Sequence, residues 1–464
     1  MSVKNTVPLY KKQFSFLDTS ANAFLIAIFG FFPLIVFRDY TNITYAKLIT
    51  FLCLFFIFAA VVLFVFGGVF LDGYRPKRKP LPSNLPFVFL GIYLLSAVLS
   101  FLFSPYRSLK NGMGKSAFLF GSGRYDGFLL LLCYAAAFLL LSFFGSFKKI
   151  HILVITGALT VMNIIGIIQT RGINIFKLYP AEAYKGKLDD FVSTVGNIDF
   201  FSSIISVFLP IVIFALFLIK LNIFEKIFLF ISAALSVYLL FSLNVSSGKL
   251  AVTVTACLAV PFLCFVKKKI SLRGAVIILA AEALLFAVFL AAVYKFVPVN
   301  TGGASVNRPF LTEISNILHG EIDETTGTYR VGIWLSALKM WLKRPIFGTG
   351  MGAFMKAFAD FTDGELAAFS FGKIDTCHNE YLQILCVGGA VGLASYIGFI
   401  ISLIIEAFKH GRENPYIWVL LGGMFCYLIQ AFFNFSIIIT APVIWAVFGS
   451  INNLMRRAEN EKNI

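Results

Sequence analysis

The sequence predicts an all-α fold: a polytopic transmembrane helical bundle of about 12 spans with a large extracytoplasmic loop containing amphipathic helices. Three observations predict it. The chain is 59% hydrophobic, with 55 Phe in 464 residues and 13% charged residues, and its mean hydropathy is +0.87. A soluble core does not grow indefinitely with length, so that much apolar surface needs lipid as its solvent. The apolar residues gather in runs of about 20, the length that crosses hydrocarbon as a helix. The runs, such as 51–71, are apolar all round, whereas barrel strands alternate over about ten residues.

The runs lie near 22–38, 46–71, 85–103, 127–147, 151–169, 199–219, 227–243, 249–266, 274–297, 380–407, 415–434 and 437–451. Unpaired backbone groups are too costly in lipid for any open alternative, so each reads as a helix. The first and last are short for a span. The chain thereby divides into 1–297 with nine helices, a loop at 298–379, and 380–464 with three helices and a tail.

The net charge of +16 would suggest nucleic acid for a soluble protein. Here it marks loops beside anionic lipid, so membrane lipid and not nucleic acid is the expected contact. Arg75–Lys79, Lys148-Lys149, Lys220 with Lys226, Lys267–Lys269 with Arg273, Lys409 with Arg412, and Arg456-Arg457 all fall on one set of alternate loops. The positive-inside rule places these loops and both termini in the cytoplasm. Three longer segments, 104–126, 170–198 and 298–379, then lie outside. The start of the chain, with Lys4, Lys11 and Lys12, shows no small-residue cleavage site, so no cleavable signal peptide is expected. Six of the seven cysteines fall within apolar runs, and Cys377 is expected to face water. Without CxxC spacing there is neither a disulfide frame nor a zinc site.

Candidate chemistry concentrates outside. Val331, Leu335, Leu338 and Leu342 share one helical face, with Arg330, Lys339, Lys343 and Arg344 elsewhere and Pro345 ending the stretch. This reads as an amphipathic helix at the membrane surface, either a packed helix with solvated charges or one that presents Arg330 to a lipid phosphate. Gly348-Thr349-Gly350-Met351-Gly352 follows. A tight turn back to the membrane is the favoured reading and a backbone cradle for phosphate the minority one. His378, one of four histidines, is expected to start the tenth helix, capped by Asp375 or Thr376. The helix dipole would then keep its imidazole neutral and able to accept a proton. A capped structural histidine is the competing reading. Gly388-Gly389 and Gly392 are expected to admit a close helix neighbour. Asp360, Asp363 and Glu365 read as a solvated acidic loop, so no metal or other cofactor is expected.

Taken together, Arg330-x3-Trp334, Pro345-x2-Gly348-x-Gly350 and His378-Asn379-x9-Gly389-x2-Gly392 resemble the O-antigen ligase and polymerase family of bacterial envelope enzymes. The family signature is His, then Asn, Ser or Gln, nine residues, Gly, two residues, and Gly, Thr or Tyr. Gly121-x2-Arg124-x2-Gly127, Val195-Gly196-Asn197, Asn434-Phe435 and Trp445 extend the resemblance along the chain.

The resemblance implies a glycosyltransferase of the bacterial cytoplasmic membrane. It would move a glycan from undecaprenyl pyrophosphate to an acceptor hydroxyl on a glycan, lipid or protein, without a metal. It implies that His378 is the base and that Arg330 holds the pyrophosphate, with Lys249 supplying charge. Arg124, in an outer loop with Arg107, Lys110 and Lys115, reads separately either as added positive potential for an anionic lipid donor or as a lipid head-group contact. Asn379, Gly389, Gly392 and Trp334 are implied as motif support. The family commonly has arginine after a serine where this chain has Ser246-Ser247-Gly248-Lys249, and lysine lacks the bidentate fork. Ligase and polymerase share the site. Transport is the third reading, disfavoured because Glu282 is the clearest ionisable residue within a span.

Overall fold

The computed structural model describes residues 9–71, 85–179, 192–242, 245–300, 309–323, 326–362 and 374–462. The basic cluster Arg75–Lys79, most of 170–198 beyond Tyr179, and the acidic residues Asp363 and Glu365 lie outside the described residues.

The fold is helical, and the described residues contain no named strand. Its helices are α1 (Leu9–Ile26), α2 (Ile43–Leu71), α3 (Leu85–Leu102), α4 (Ala117–Phe120), α5 (Phe128–Phe143), α6 (Lys149–Thr170), α7 (Ile198–Leu218) and α8 (Ile223–Ser242). They continue as α9 (Ser246–Val266), α10 (Leu272–Phe296), α11 (Phe310–Leu318), α12 (Arg330–Leu342), α13 (Phe354–Thr362), α14 (Glu380–His410), α15 (Pro415–Gln430) and α16 (Ala441–Lys462).

Each of the twelve apolar runs contains a helix. Nine among the described residues are long and apolar enough to cross a membrane, while Phe128–Phe143 and Pro415–Gln430 are shorter apolar helices. The final helix α16 is not one of the nine, because its last turns carry Arg456, Arg457, Glu459 and Glu461. The protein is therefore a polytopic helical membrane protein.

The bundle pairs helices distant in sequence: α3 against α14, α7 against α15, and α5 against α16. Phe138, Phe399, Trp445 and Phe448 interlock edge to face and by stacking at the centre. Lipid cannot supply a hydrophobic drive between helices, so such close aromatic fit carries the association. At the periphery, α10 buries only Ala275 and Val293, which leaves its apolar sides to lipid.

A second, smaller core forms where α12 and α13 pack on the start of α14. Ile333, Ala337, Met340, Phe354, Phe358, Leu382 and Cys386 build it, together with Cys377, which is wholly buried rather than water-facing. The amphipathic helix is present as α12, but its buried face is Gly332, Ile333, Ala337 and Met340. The expected stripe of Leu335, Leu338 and Leu342 points away from the protein.

Two breaks shape the end of the bundle that carries the site. At the first, α1 loosens into a π-turn (Ala27–Phe31) and a 3-10 turn (Phe32–Leu34). The fully buried Lys47 answers the freed carbonyls, donating to Phe32 O at 2.9 Å and Pro33 O at 2.8 Å. Sequence reasoning passed over this lysine, which repairs backbone rather than relaying protons.

The second break lies inside α14, where Gly389 takes φ 69° and ψ −172°, a conformation close to glycine-only. A continuous helix would separate residues sixteen apart by about 24 Å. Yet the Tyr396 hydroxyl donates to Glu380 at 2.8 Å. The segment before Gly389 is therefore folded back on the segment after it.

Candidate functional site

The break exposes backbone groups, and the chain before α13 supplies their partners. Thr349 N donates to Cys386 O and Gly350 N to Val387 O, both at 2.9 Å. Ala390 N and Val391 N donate to Pro345 O and Ile346 O at 2.8 and 3.3 Å. The glycines make the approach possible: a Cβ on Gly389 would fall 2.1 Å from Ile346 O. The Gly348–Gly352 segment is thus a turn paired to α14. Its first three N–H groups are taken by Arg344 O, Cys386 O and Val387 O, so it is no phosphate cradle. Gly392 fulfils its expected part, lying against Ser96 of α3.

This arrangement fixes the entry to α14 and with it His378. The helix begins at Glu380, and its cap is Asn379, whose Oδ1 accepts from Leu382 N at 3.0 Å. Asp375 and Thr376 do not cap it, because the chain turns once more at His378, which has φ 49°. Trp334 Nε1 donates to Cys377 O at 2.9 Å, so α12 holds the residue immediately before the imidazole. Glu380 N is held by Ala431 O and Asn434 O.

Around His378 the structure gathers charge. Burial, then the guanidiniums of Arg330 and Arg124, push its pKa down to about 4, against an opposing pull from Asp375. Direction matches expectation, but the cause is desolvation and two cations rather than the helix dipole. Nδ1 is buried without a hydrogen-bond partner.

Three residues with left-handed backbone, Gly327, Thr328 and Tyr329, aim Arg330 at the start of α12. Its Nη1 donates to Gly327 O at 3.3 Å, and its Nε is buried without a partner. Burial lowers its pKa while the charge of Asp199 raises it. A desolvated cation that makes only this one carbonyl bond among the described residues is poised for an anion.

Arg124 reaches the same place differently. Gly121 and Gly127 meet so closely that a Cβ on Gly127 would lie 2.4 Å from Gly121 N, a tight turn that projects Arg124. Its Nε pairs with Asp375 at 2.6 Å. Its guanidinium lies 5.1 Å from the centre of the Phe435 ring. The His378 ring meets the same Phe435 edge to face at 5.5 Å. Asn434 secures this wall, donating to Asp199 O and Ser203 Oγ of α7, and Asn197 caps α7 in turn.

Residues 231–397 match the family model described as O-antigen ligase. Over that segment the chain is similar to the O-antigen ligase family. No curated protein matches it. The match spans Lys249, Arg330, Trp334, His378, Gly389 and Gly392, whereas Arg124, Asp199 and Phe435 fall outside it.

Within this candidate site the residues separate. His378, Arg330 and Arg124 interact electrostatically, whereas Lys249 is not among the charges acting on His378. Lys249 sits in the first turn of α9 rather than in a free turn, where Gly248 packs so closely on α7 that a Cβ would overlap Ser202 Oγ at 1.8 Å. Sequence reasoning missed Asp199, Asp375 in its pairing role, and the hydrogen-bonded Glu380. Only the neighbours of Glu380 in the motif could have signalled it. Among the described residues, no group of three His, Cys, Asp or Glu is disposed to hold a metal. Asp360 pairs instead with Lys356 at 2.5 Å.

Proposed function

We propose that the protein transfers a glycan from undecaprenyl pyrophosphate to an acceptor hydroxyl at the outer face of the bacterial cytoplasmic membrane. The observation that carries the reading is that His378 and the Arg124 guanidinium pack on one ring, Phe435, at 5.5 and 5.1 Å, with the buried Arg330 also acting on the imidazole. Positive-inside asymmetry supports the outer face, because the connectors with Lys148-Lys149, Lys267–Lys269 and Lys409 lie at the other ends of the helices that bear the site.

In this reading Arg330 takes the pyrophosphate and Arg124, drawn partly from Asp375, assists it. The acceptor oxygen attacks the anomeric carbon of the first donor sugar. The carbon–oxygen bond to pyrophosphate breaks and its electron pair leaves with undecaprenyl pyrophosphate. The acceptor proton passes to His378. Growing charge on the leaving group is met by fixed cations in a partly dry site, where they cost little reorganisation.

The pKa of His378 gives the reading an order of events. Docking of a polyanion neutralises the cations that hold the imidazole acidic, so the base strengthens once the donor is in place. Polymerisation uses the same groups. Reconstitution with an undecaprenyl-pyrophosphate oligosaccharide separates the two by product length: a single transfer marks a ligase, a ladder a polymerase, and no product removes the reading.

A further inference from the structure

Beside the charged groups lies a cavity that Arg124 itself helps to line. It is an open pocket between α3, α5, α14 and α16, has a volume of about 140 Å³, and is lined by Tyr93, Arg124, Tyr134, Thr376, Phe435 and Trp445, among others. A cavity of roughly 150 Å³ holds a benzene ring, so this open pocket takes a six-membered ring with its substituents reaching toward the mouth.

Its walls combine two chemistries. Tyr134 and Trp445 lie nearly parallel, 6.2 Å apart with 18° between their planes, and offer apolar faces. Among them sit two hydroxyls, Tyr134 Oη and Thr376 Oγ1, neither with a hydrogen-bond partner. Both residues are more than nine-tenths buried, at 8% and 3% exposure. Buried hydroxyls are rarely left unpaired, because each lost bond costs free energy with no return. An aromatic pocket with a few convergent, unsatisfied polar groups is the composition of a ligand site.

A pyranose ring matches both halves of that description: its axial C–H bonds cover an aromatic face and its hydroxyls pair with polar groups at the edge. Phe435 is a wall of the cavity and also the ring against which His378 packs. We propose that this cavity is a subsite for one pyranose ring, engaged through Tyr134, Thr376 and the Trp445 face. The proposal rests on the glycan-transfer reading for its place beside His378. The ring comes from the first sugar of the donor or the terminal sugar of the acceptor.

The test uses the full chain in nanodiscs with methyl glycosides of glucose, galactose, mannose and N-acetylglucosamine as probes, read by saturation-transfer NMR. At least one glycoside receives saturation. Tyr134→Phe weakens its binding about three- to tenfold, the worth of one hydrogen bond. Thermal stability does not fall, because the removed hydroxyl bonds nothing within the protein. Ala441→Trp, placed in the lining, abolishes the signal. Should that variant not fold, Tyr134→Phe and Thr376→Val decide. Absence of saturation with every glycoside, or saturation indifferent to these substitutions, overturns the subsite and leaves a solvent-filled void.

Binding is read without turnover, so His378→Ala should keep it. Transfer surviving in that variant would sink the catalytic reading alone. In the transfer assay, Tyr134→Phe raises the KM of either donor or acceptor, and the affected substrate names the source of the ring.

Discussion

Gly348 and Gly389 meet backbone to backbone: a Cβ on Gly348 would lie 2.7 Å from Gly389 N and 2.5 Å from Cys386 O. Two motif fragments separated by forty residues are thus one structural device, a broken helix whose orphaned groups are repaired by a neighbouring turn. Gly389→Ala places a side chain where φ is 69° and where carbonyl oxygen already sits. The expected loss is about 1–3 kcal/mol from backbone strain alone, and more from the overlap. Thermal unfolding in detergent checks it. A variant as stable as the wild type would mean that the break is absent.

The pH dependence follows from His378. Its pKa is lowered from the usual 6.5 to about 4, so the neutral, proton-accepting form persists down to that pH. The acid limb of kcat/KM, which reports the free enzyme, is expected near pH 4. The limb of kcat lies higher, since bound pyrophosphate offsets the two cations. Arg330→Gln removes one of the depressing charges and moves the kcat/KM limb upward. A limb at 6.5 in the wild type, unmoved by that substitution, would contradict the electrostatic account.

Arginine 330 is expected to tolerate no substitute. Loss of a preorganised cation facing developing charge costs about 10²–10³ in kcat, so Arg330→Ala should fall in that range. Arg330→Lys retains charge but not the fork and should recover only part of it. Lys249→Ala should cost far less, because Lys249 is not among the charges acting on His378. Single-turnover rates with saturating donor rank the three. A Lys249 effect equal to that of Arg330 would require a donor path along α9.

Trp334 acts through position. Its indole N–H fixes Cys377 O at 2.9 Å, the peptide that leads into His378. Trp334→Phe keeps the ring and removes the bond. A drop of about three- to tenfold in kcat is expected, with donor KM unchanged. A change confined to KM would assign Trp334 to the substrate instead.

Much of this was legible in the chain, and the exceptions share a cause. Hydropathy gave each long apolar helix, because lipid permits few alternatives to an apolar helix of that length, but not the short α4, α11 and α13. The histidine motif pointed to the candidate site, and its Asn379, Gly389 and Gly392 each have a separate structural duty: cap, break and close approach to α3. The break in α14 was not legible, since an apolar run reads as one helix whether or not another segment repairs its backbone. Lys47 was hidden for the same reason: its partners are the carbonyls of an irregular turn, which composition cannot reveal. Asp375 read as a cap because the extra left-handed turn at His378 has no sequence signal, positive φ being uncommon for any residue but glycine. The partners of Arg330 and Arg124 come from α7 and from the chain before α14, distances in sequence that no local pattern spans.

One measurement bears most directly on the central claim. The purified protein and its His378→Ala variant are reconstituted with an undecaprenyl-pyrophosphate oligosaccharide and an acceptor glycan, with folding checked by thermal unfolding. The account predicts a variant that folds but transfers about 10²- to 10⁴-fold more slowly. Transfer by the folded variant at the rate of the unaltered protein would contradict it.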